Sequence, residues 1–156
     1  MAFYQFSKTQ KFNATIDELW AFISDPGNLK LITPPSMGFE VTSGKAEREM
    51  YPGMIITYFV RPLFGIKMRW VTEITQVNDK EYFVDEQRLG PYTMWHHQHR
   101  LIQTEDGVLM EDTVSYIPPF GFLGAIANSL IIRSKLEEIF AFRTKVDLNN
   151  NVMLNV

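Results

Sequence analysis

Residues 93–117 read TMWHHQHRLIQTEDGVLMEDTVSYI. Apolar and polar residues alternate on both sides of Asp106-Gly107, so the stretch reads as two strands, Thr93–Gln103 and Val108–Ile117, joined by a hairpin turn. Alternation puts Trp95, His97, His99 and Leu101 on one face and Met94, His96, Gln98 and Arg100 on the other. The second set is polar and basic and belongs in solvent. The register expected from a two-residue Asp106-Gly107 loop sets Glu105 opposite Val108, Leu101 opposite Asp112, His99 opposite Val114 and His97 opposite Tyr116.

Upstream the same strand period continues through Phe39–Thr42, Met54–Val60, Ile66–Val77 and Tyr82–Leu89, broken at Pro52-Gly53, Asn78-Asp79 and Gly90-Pro91. Such short breaks suit hairpins and predict an antiparallel sheet. Another strand is expected over residues 3–12. Thr15-Ile16-Asp17-Glu18 has the form of a capping box, opening a helix to about Ser24 with Ile16, Leu19, Trp20 and Ile23 on one face. Asp25-Pro26 starts a second short helix, which Thr33-Pro34-Pro35 ends. The last element is a long helix from about Gly121 to Leu148, followed by a frayed tail from Asn149 to Val156. Its second half turns Ile132, Leu136, Ile139, Phe140 and Val146 one way and Lys135, Glu138 and Lys145 the other. Its first half, with Leu123, Ile126, Ala127, Leu130 and Ile131, is apolar nearly all round. One strand, two short helices, a run of strands and one long helix describe an α+β domain over 1–156. In it a curved antiparallel sheet of six to seven strands wraps around the C-terminal helix. A curved sheet and a single helix do not fill the space between them, and such cavities bind small molecules.

The chain has 156 residues, 46% hydrophobic and 21% charged, which suits one globular core. A formal net charge of −3 gives no electrostatic footprint for nucleic acid. With no cysteine there is no disulfide, no thiolate zinc site, no iron–sulfur cluster and no thiol nucleophile. The uncharged run Tyr116–Ile132 is broken by prolines and glycines, so no transmembrane segment is expected. The N-terminal residues lack an export signal, and a cytoplasmic location is expected. Aromatic residues make up 13% of the chain, with 8 methionines besides, which is more soft bulk than an ordinary core requires.

Several short runs carry a resemblance: Phe83-Val84-Asp85-Glu86-Gln87, Gly90-Pro91-Tyr92, Trp95-x-His97-x-His99, Asp112-x-Val114-x-Tyr116, Pro119-x-Gly121 and Phe140-Ala141-x-Arg143. With the order of elements, they resemble the START/Bet v 1-like (SRPBCC) superfamily, and within it a bacterial, polyketide cyclase/dehydrase-like branch. The resemblance spans essentially the whole chain. It implies the helix-grip fold, with loops ringing a cavity entrance, and a domain also found fused to an NAD-dependent epimerase-like domain. Superfamily members include lipid carriers, hormone receptors, cyclases and oxygenase subunits, so the likeness implies no single chemistry.

The inner wall expected from alternation carries Trp70, Phe83, Asp85, Gln87, Trp95, His97, His99, Asp112, Val114 and Tyr116. Inward carboxylates must be paired or hydrogen-bonded, and the histidines, Gln87 and Tyr116 offer partners. Such a network either fixes sheet register or also orients an apolar ligand. For acid/base chemistry of a cyclase or dehydratase type, the candidates are His97, His99, Asp85 and Asp112. His97-x-His99 beside a carboxylate is also a metal-ligand spacing. No third histidine shares that face, so no metal is expected, and with no phosphate loop or dinucleotide fingerprint no cofactor is expected either. Leu63 and Phe64, at the apolar tip of Arg61–Gly65, are expected to gate the cavity, together with Pro34, Pro35, Met37, Phe120 and Phe122. The expected function is binding, transport or sensing of a small hydrophobic or amphipathic molecule. A cyclase/dehydratase-type enzyme and an interaction module acting through its apolar mouth stay open beside it, as do a homodimer and an epimerase-like partner.

Overall fold

The computed structural model describes residues 2–43, 49–62, 65–119, 121 and 131–145. Strand β1 (Tyr4–Phe12) is followed by helix α1 (Ile16–Ile23) and two 3-10 turns, Pro26–Lys30 and Pro35–Met37. Then come β2 (Glu40–Val41), β3 (Ile55–Val60), β4 (Met68–Asn78), β5 (Tyr82–Leu89), β6 (Met94–Thr104), β7 (Gly107–Ile117) and helix α2 (Arg133–Arg143). The strands form one seven-stranded antiparallel sheet in the order β1-β7-β6-β5-β4-β3-β2. Two register shifts between β4 and β5, at Val71/Thr72 and Ile74/Gln76, add twist and help the sheet curl.

Thr15 caps α1: its hydroxyl accepts from Glu18 N while the Glu18 carboxylate accepts from Thr15 N at 2.8 Å, and Leu19, Trp20 and Ile23 face the sheet. Thr33-Pro34-Pro35 does not simply end the short helical region. Pro35 occupies the first turn of a further 3-10 segment, a place its fixed φ suits, and Gly38 closes that segment at φ +52°. Helix α2 is tied to the far edge of the sheet through Gln10 Nε2, which donates to the Phe140 carbonyl at 3.0 Å. Ile132, Leu136 and Phe140 are buried against the concave face. The expected apolar stretch Leu123–Leu130, the segment Val146–Leu148 and the tail Asn149–Val156 lie outside the described residues.

The β6–β7 register differs from the expected one. Leu101 pairs with Met110, His99 with Asp112, His97 with Val114 and Trp95 with Tyr116. The two-residue loop is Glu105-Asp106, and Gly107 opens β7 opposite Thr104. Gly107 sits at φ +137°, and a Cβ there would lie 2.2 Å from the Phe12 carbonyl oxygen, so glycine is required on two counts. The displacement is two residues, an even number, so every side chain keeps its expected face while its partner changes.

Candidate functional site

The concave face carries two apolar groups. One gathers Leu19, Trp20, Ile74, Phe83, Leu101 and Met110 under α1; the other, Val114, Tyr116, Ile132, Leu136 and Phe140, brings α2 onto the sheet. Between them, β5 supplies Asp85, β6 supplies His97 and His99, and β7 supplies Asp112. Pairing sets Asp85 opposite His97 and Asp112 opposite His99, so four polar side chains converge from three adjacent strands. His97, His99 and Asp112 are buried and the Asp85 side chain is 16% exposed.

A carboxylate only accepts, so the imidazoles donate. His97 Nε2 donates to Asp112 Oδ1 at 2.9 Å, and His99 Nε2 donates to Asp85 Oδ2 at 2.9 Å. The remaining ring nitrogens face the opposite carboxylates. His99 Nδ1 lies 2.8 Å from Asp112 Oδ1, close but poorly aligned for a hydrogen bond, and His97 Nδ1 lies 3.6 Å from Asp85 Oδ2. Arg143 enters from α2 with Nη1 3.8 Å from Asp112 Oδ1. Phe83 stacks on His99 at 4.1 Å between ring centroids, and Phe140 meets His97 edge-on at 5.9 Å, which fixes both imidazole planes.

The electrostatics separate the two histidines. Burial disfavours charge on both. For His97 burial prevails, helped by the nearby His99 charge, and its pKa falls below the usual histidine value. For His99 burial is outweighed by the close approach and charge of Asp112 and then by the hydrogen bond and charge of Asp85, and its pKa rises. Burial would push both carboxyls up. The His97 hydrogen bond and the close His99 imidazole hold Asp112 far below the carboxylate range, and the His99 hydrogen bond, with the neighbouring imidazoles and Arg143, lowers Asp85. The network therefore sets two lowered carboxyls and Arg143 around two imidazoles that are driven in opposite directions, His99 toward its charged form and His97 toward its neutral one.

Asp85, His97 and His99 line a cavity of about 150 Å³ whose other walls are mostly aromatic and aliphatic, with Tyr58, Trp70, Phe83, Tyr92 and Trp95 prominent. Trp70 meets Trp95 and Tyr92 edge-on at 5.3 and 5.7 Å, making one aromatic wall. Its indole N–H is buried without a hydrogen-bond partner.

Of the residues expected on the inner wall, Trp70, Phe83, Asp85, Trp95, His97 and His99 line this cavity. Asp112 is fully buried behind the histidines. Tyr116 is buried in the α2-side apolar group, stacked on Tyr4. Gln87 clamps a loop instead: its Nε2 donates to the Tyr92 carbonyl at 2.7 Å and its Oε1 accepts from Tyr92 N at 3.2 Å. His96 takes the opposite face, half-buried, with Nδ1 3.0 Å from Glu86 Oε1. Met37 lines the cavity; Pro34 is buried and Pro35 exposed. Leu63, Phe64, Phe120 and Phe122 lie outside the described residues.

Sequence reasoning missed Arg143, Tyr92 and the Tyr58–Thr72 hydroxyl pair, 2.9 Å apart on the cavity wall. For Arg143 a signal was present. It follows Leu136 by seven residues and Phe140 by three, which places it on the buried face of the helix.

No family model matches the chain, and no curated protein matches its sequence. Solved structures do match in shape. A protein from Mycobacterium smegmatis, Ms6760, is 19% identical and aligns over 90% of this chain and 88% of its own, with a TM-score of 0.62. The ginseng (Panax ginseng) major latex-like protein 151 is 11% identical over 91% and 93%, with a TM-score of 0.65. Ara h 8.0201 is 14% identical over 96% and 100%, with a TM-score of 0.61. At these identities the likeness concerns the fold: the chain has the START/Bet v 1-like helix-grip fold. No helix among the described residues is long and apolar enough to cross a membrane.

Proposed function

We propose that the protein binds one small, mostly apolar molecule inside the sheet–helix cavity, its polar end directed at Asp85, His97 and His99. One observation carries this reading: a cavity of about 150 Å³, walled mostly by aromatic and aliphatic side chains, has Asp85, His97 and His99 clustered on its wall. Few polar groups at one end of an apolar pocket set orientation while apolar contact supplies affinity. The volume is about half the roughly 300 Å³ floor for drug-sized ligands, and it matches the roughly 150 Å³ apolar cavity that takes a benzene ring. The ligand class is therefore a single substituted ring. A long acyl chain is too large.

The test is a titration with toluene, p-cresol and dodecanoate followed by tryptophan emission, with Trp20→Phe removing the emitter on α1. Saturable changes with the two ring compounds, and none with dodecanoate, support the reading. His97→Ala should alter the preference between p-cresol and toluene more than the affinity for toluene. No response to either ring compound contradicts it.

A second reading, acid/base catalysis of the cyclase or dehydratase type, is favoured by one observation. Two adjacent imidazoles, 3.7 Å between centroids, are driven toward opposite protonation states. His97 would accept a proton through Nδ1 and His99 would donate one. Turnover of a ring-forming or dehydrating substrate that both His97→Gln and His99→Gln abolish is its test.

A further inference from the structure

We propose that Asp85, His97 and His99 form a binding site for a divalent first-row transition ion of the zinc class, with Asp112 orienting both histidines from behind. No metal is expected from two histidines on one face in a chain without cysteine; the structure adds a close third donor, Asp85 on the neighbouring strand. Each of the three residues offers one donor atom, and the three donors lie within 4.8 Å of one another. Two histidines and one carboxylate are a donor set that zinc and related ions accept.

The contacts of Asp112, a hydrogen bond with His97 and a close approach to His99, indicate which atoms would ligate. Asp112 Oδ1 lies against His97 Nε2 at 2.9 Å and His99 Nδ1 at 2.8 Å. A carboxylate behind the far nitrogen of a ligating histidine is what fixes ring tautomer and orientation in metal sites. That leaves His97 Nδ1 and His99 Nε2 for the ion, at 3.6 and 2.9 Å from Asp85 Oδ2. Tetrahedral ligation with bonds of about 2.0–2.1 Å separates ligand atoms by about 3.3 Å, and the two distances bracket that value. All three residues line the cavity and Asp112 does not, so the remaining coordination position opens toward the cavity ligand. Arg143, 3.8 Å from Asp112, offsets one carboxylate, and the site presents a single negative charge to the ion once both imidazoles are neutral. Binding exchanges a proton for the ion. The Nε2 proton that His99 now gives Asp85 leaves to water, and Nε2, His97 Nδ1 and an Asp85 oxygen each form one bond to the ion.

This inference goes beyond the proposed binding function, because it needs no organic ligand. Its test uses the chelator-treated full chain titrated with Zn(II), followed by nitrogen-15 NMR of the imidazoles. There are 3 histidines, and His96 on the opposite face serves as the internal control. The expected result is uptake of one equivalent, with His97 and His99 shifted and His96 unmoved. Asp85→Asn, which keeps the side-chain shape, should weaken uptake by at least about tenfold. No stoichiometric uptake, a response led by His96, or unchanged affinity in folded Asp85→Asn overturns the proposal. If that variant does not fold, the imidazole shifts of the unaltered chain decide. The p-cresol titration, run separately with chelator present, keeps failure of the metal site distinct from failure of the cavity reading.

Discussion

Replacing Asp112 by asparagine removes one charge while keeping the shape of the side chain. Asp112 is fully buried and faces His97 Nε2 at 2.9 Å, His99 Nδ1 at 2.8 Å and Arg143 Nη1 at 3.8 Å. The variant leaves His99 and Arg143 with Asp85 as their sole neighbouring carboxylate in the network. Breaking a buried ionic network on one side costs about 3–5 kcal/mol. For a chain of this size that is a fall in Tm of about 10 °C, taking roughly 2–4 °C per kcal/mol. The assay is urea unfolding at pH 7 with chelator, followed by circular dichroism and tryptophan emission, with an unchanged m-value as the check that the folded state is the same. Adding Arg143→Met should recover part of the loss, since the stranded cation goes with it. The pH dependence has a defined sign. The Asp112 pKa is lower folded than unfolded, so its contribution is present above about pH 4 and is lost as pH falls further. The unaltered chain should therefore lose stability with acid more steeply than Asp112→Asn. A destabilisation below about 1 kcal/mol, the size of an ordinary substitution, would refute the assignment of Asp112 as the keystone of the network.

Gly107→Ala should destabilise by more than Gly53→Ala: both positions have positive φ, but only at Gly107 does a Cβ meet backbone, 2.2 Å from the Phe12 oxygen, and equilibrium unfolding of the pair measures the difference. Gln87→Leu strips both hydrogen bonds from the Tyr92 backbone; a loss of about 1–3 kcal/mol is expected, together with weaker p-cresol binding, because Tyr92 is a wall of the cavity. Unchanged stability would mean that water replaces the clamp.

The order of elements was legible because its signals are local. The Thr15–Glu18 capping box, the helical face of Leu19, Trp20 and Ile23, and the strand alternation around His97 and His99 each need only a few neighbouring residues. Strand register was less legible. Asp106-Gly107 marks the turn, but moving the loop to Glu105-Asp106 changes each partner without changing any face, so face analysis alone does not distinguish the two. Asp85 lies against His99 only because of the β5–β6 register, which depends on the Gly90–Thr93 connection and the β4–β5 shifts. Arg143 enters the sequence reading only within the Phe140-Ala141-x-Arg143 run, and its spacing from Leu136 and Phe140 is what places it on the buried face. The size of the cavity was not legible at all. It is the remainder left by packing across the sheet, and no single residue encodes it.

The most direct measurement is a calorimetric titration of the purified chain with p-cresol. A ring of eight heavy atoms in this cavity should gain about −6 kcal/mol, between the limits for the best tiny ligands and for drug-sized ones. That corresponds to one saturable site with a Kd on the order of 10–100 µM. Heat no greater than dilution at millimolar p-cresol would contradict the assignment of the cavity as a binding site.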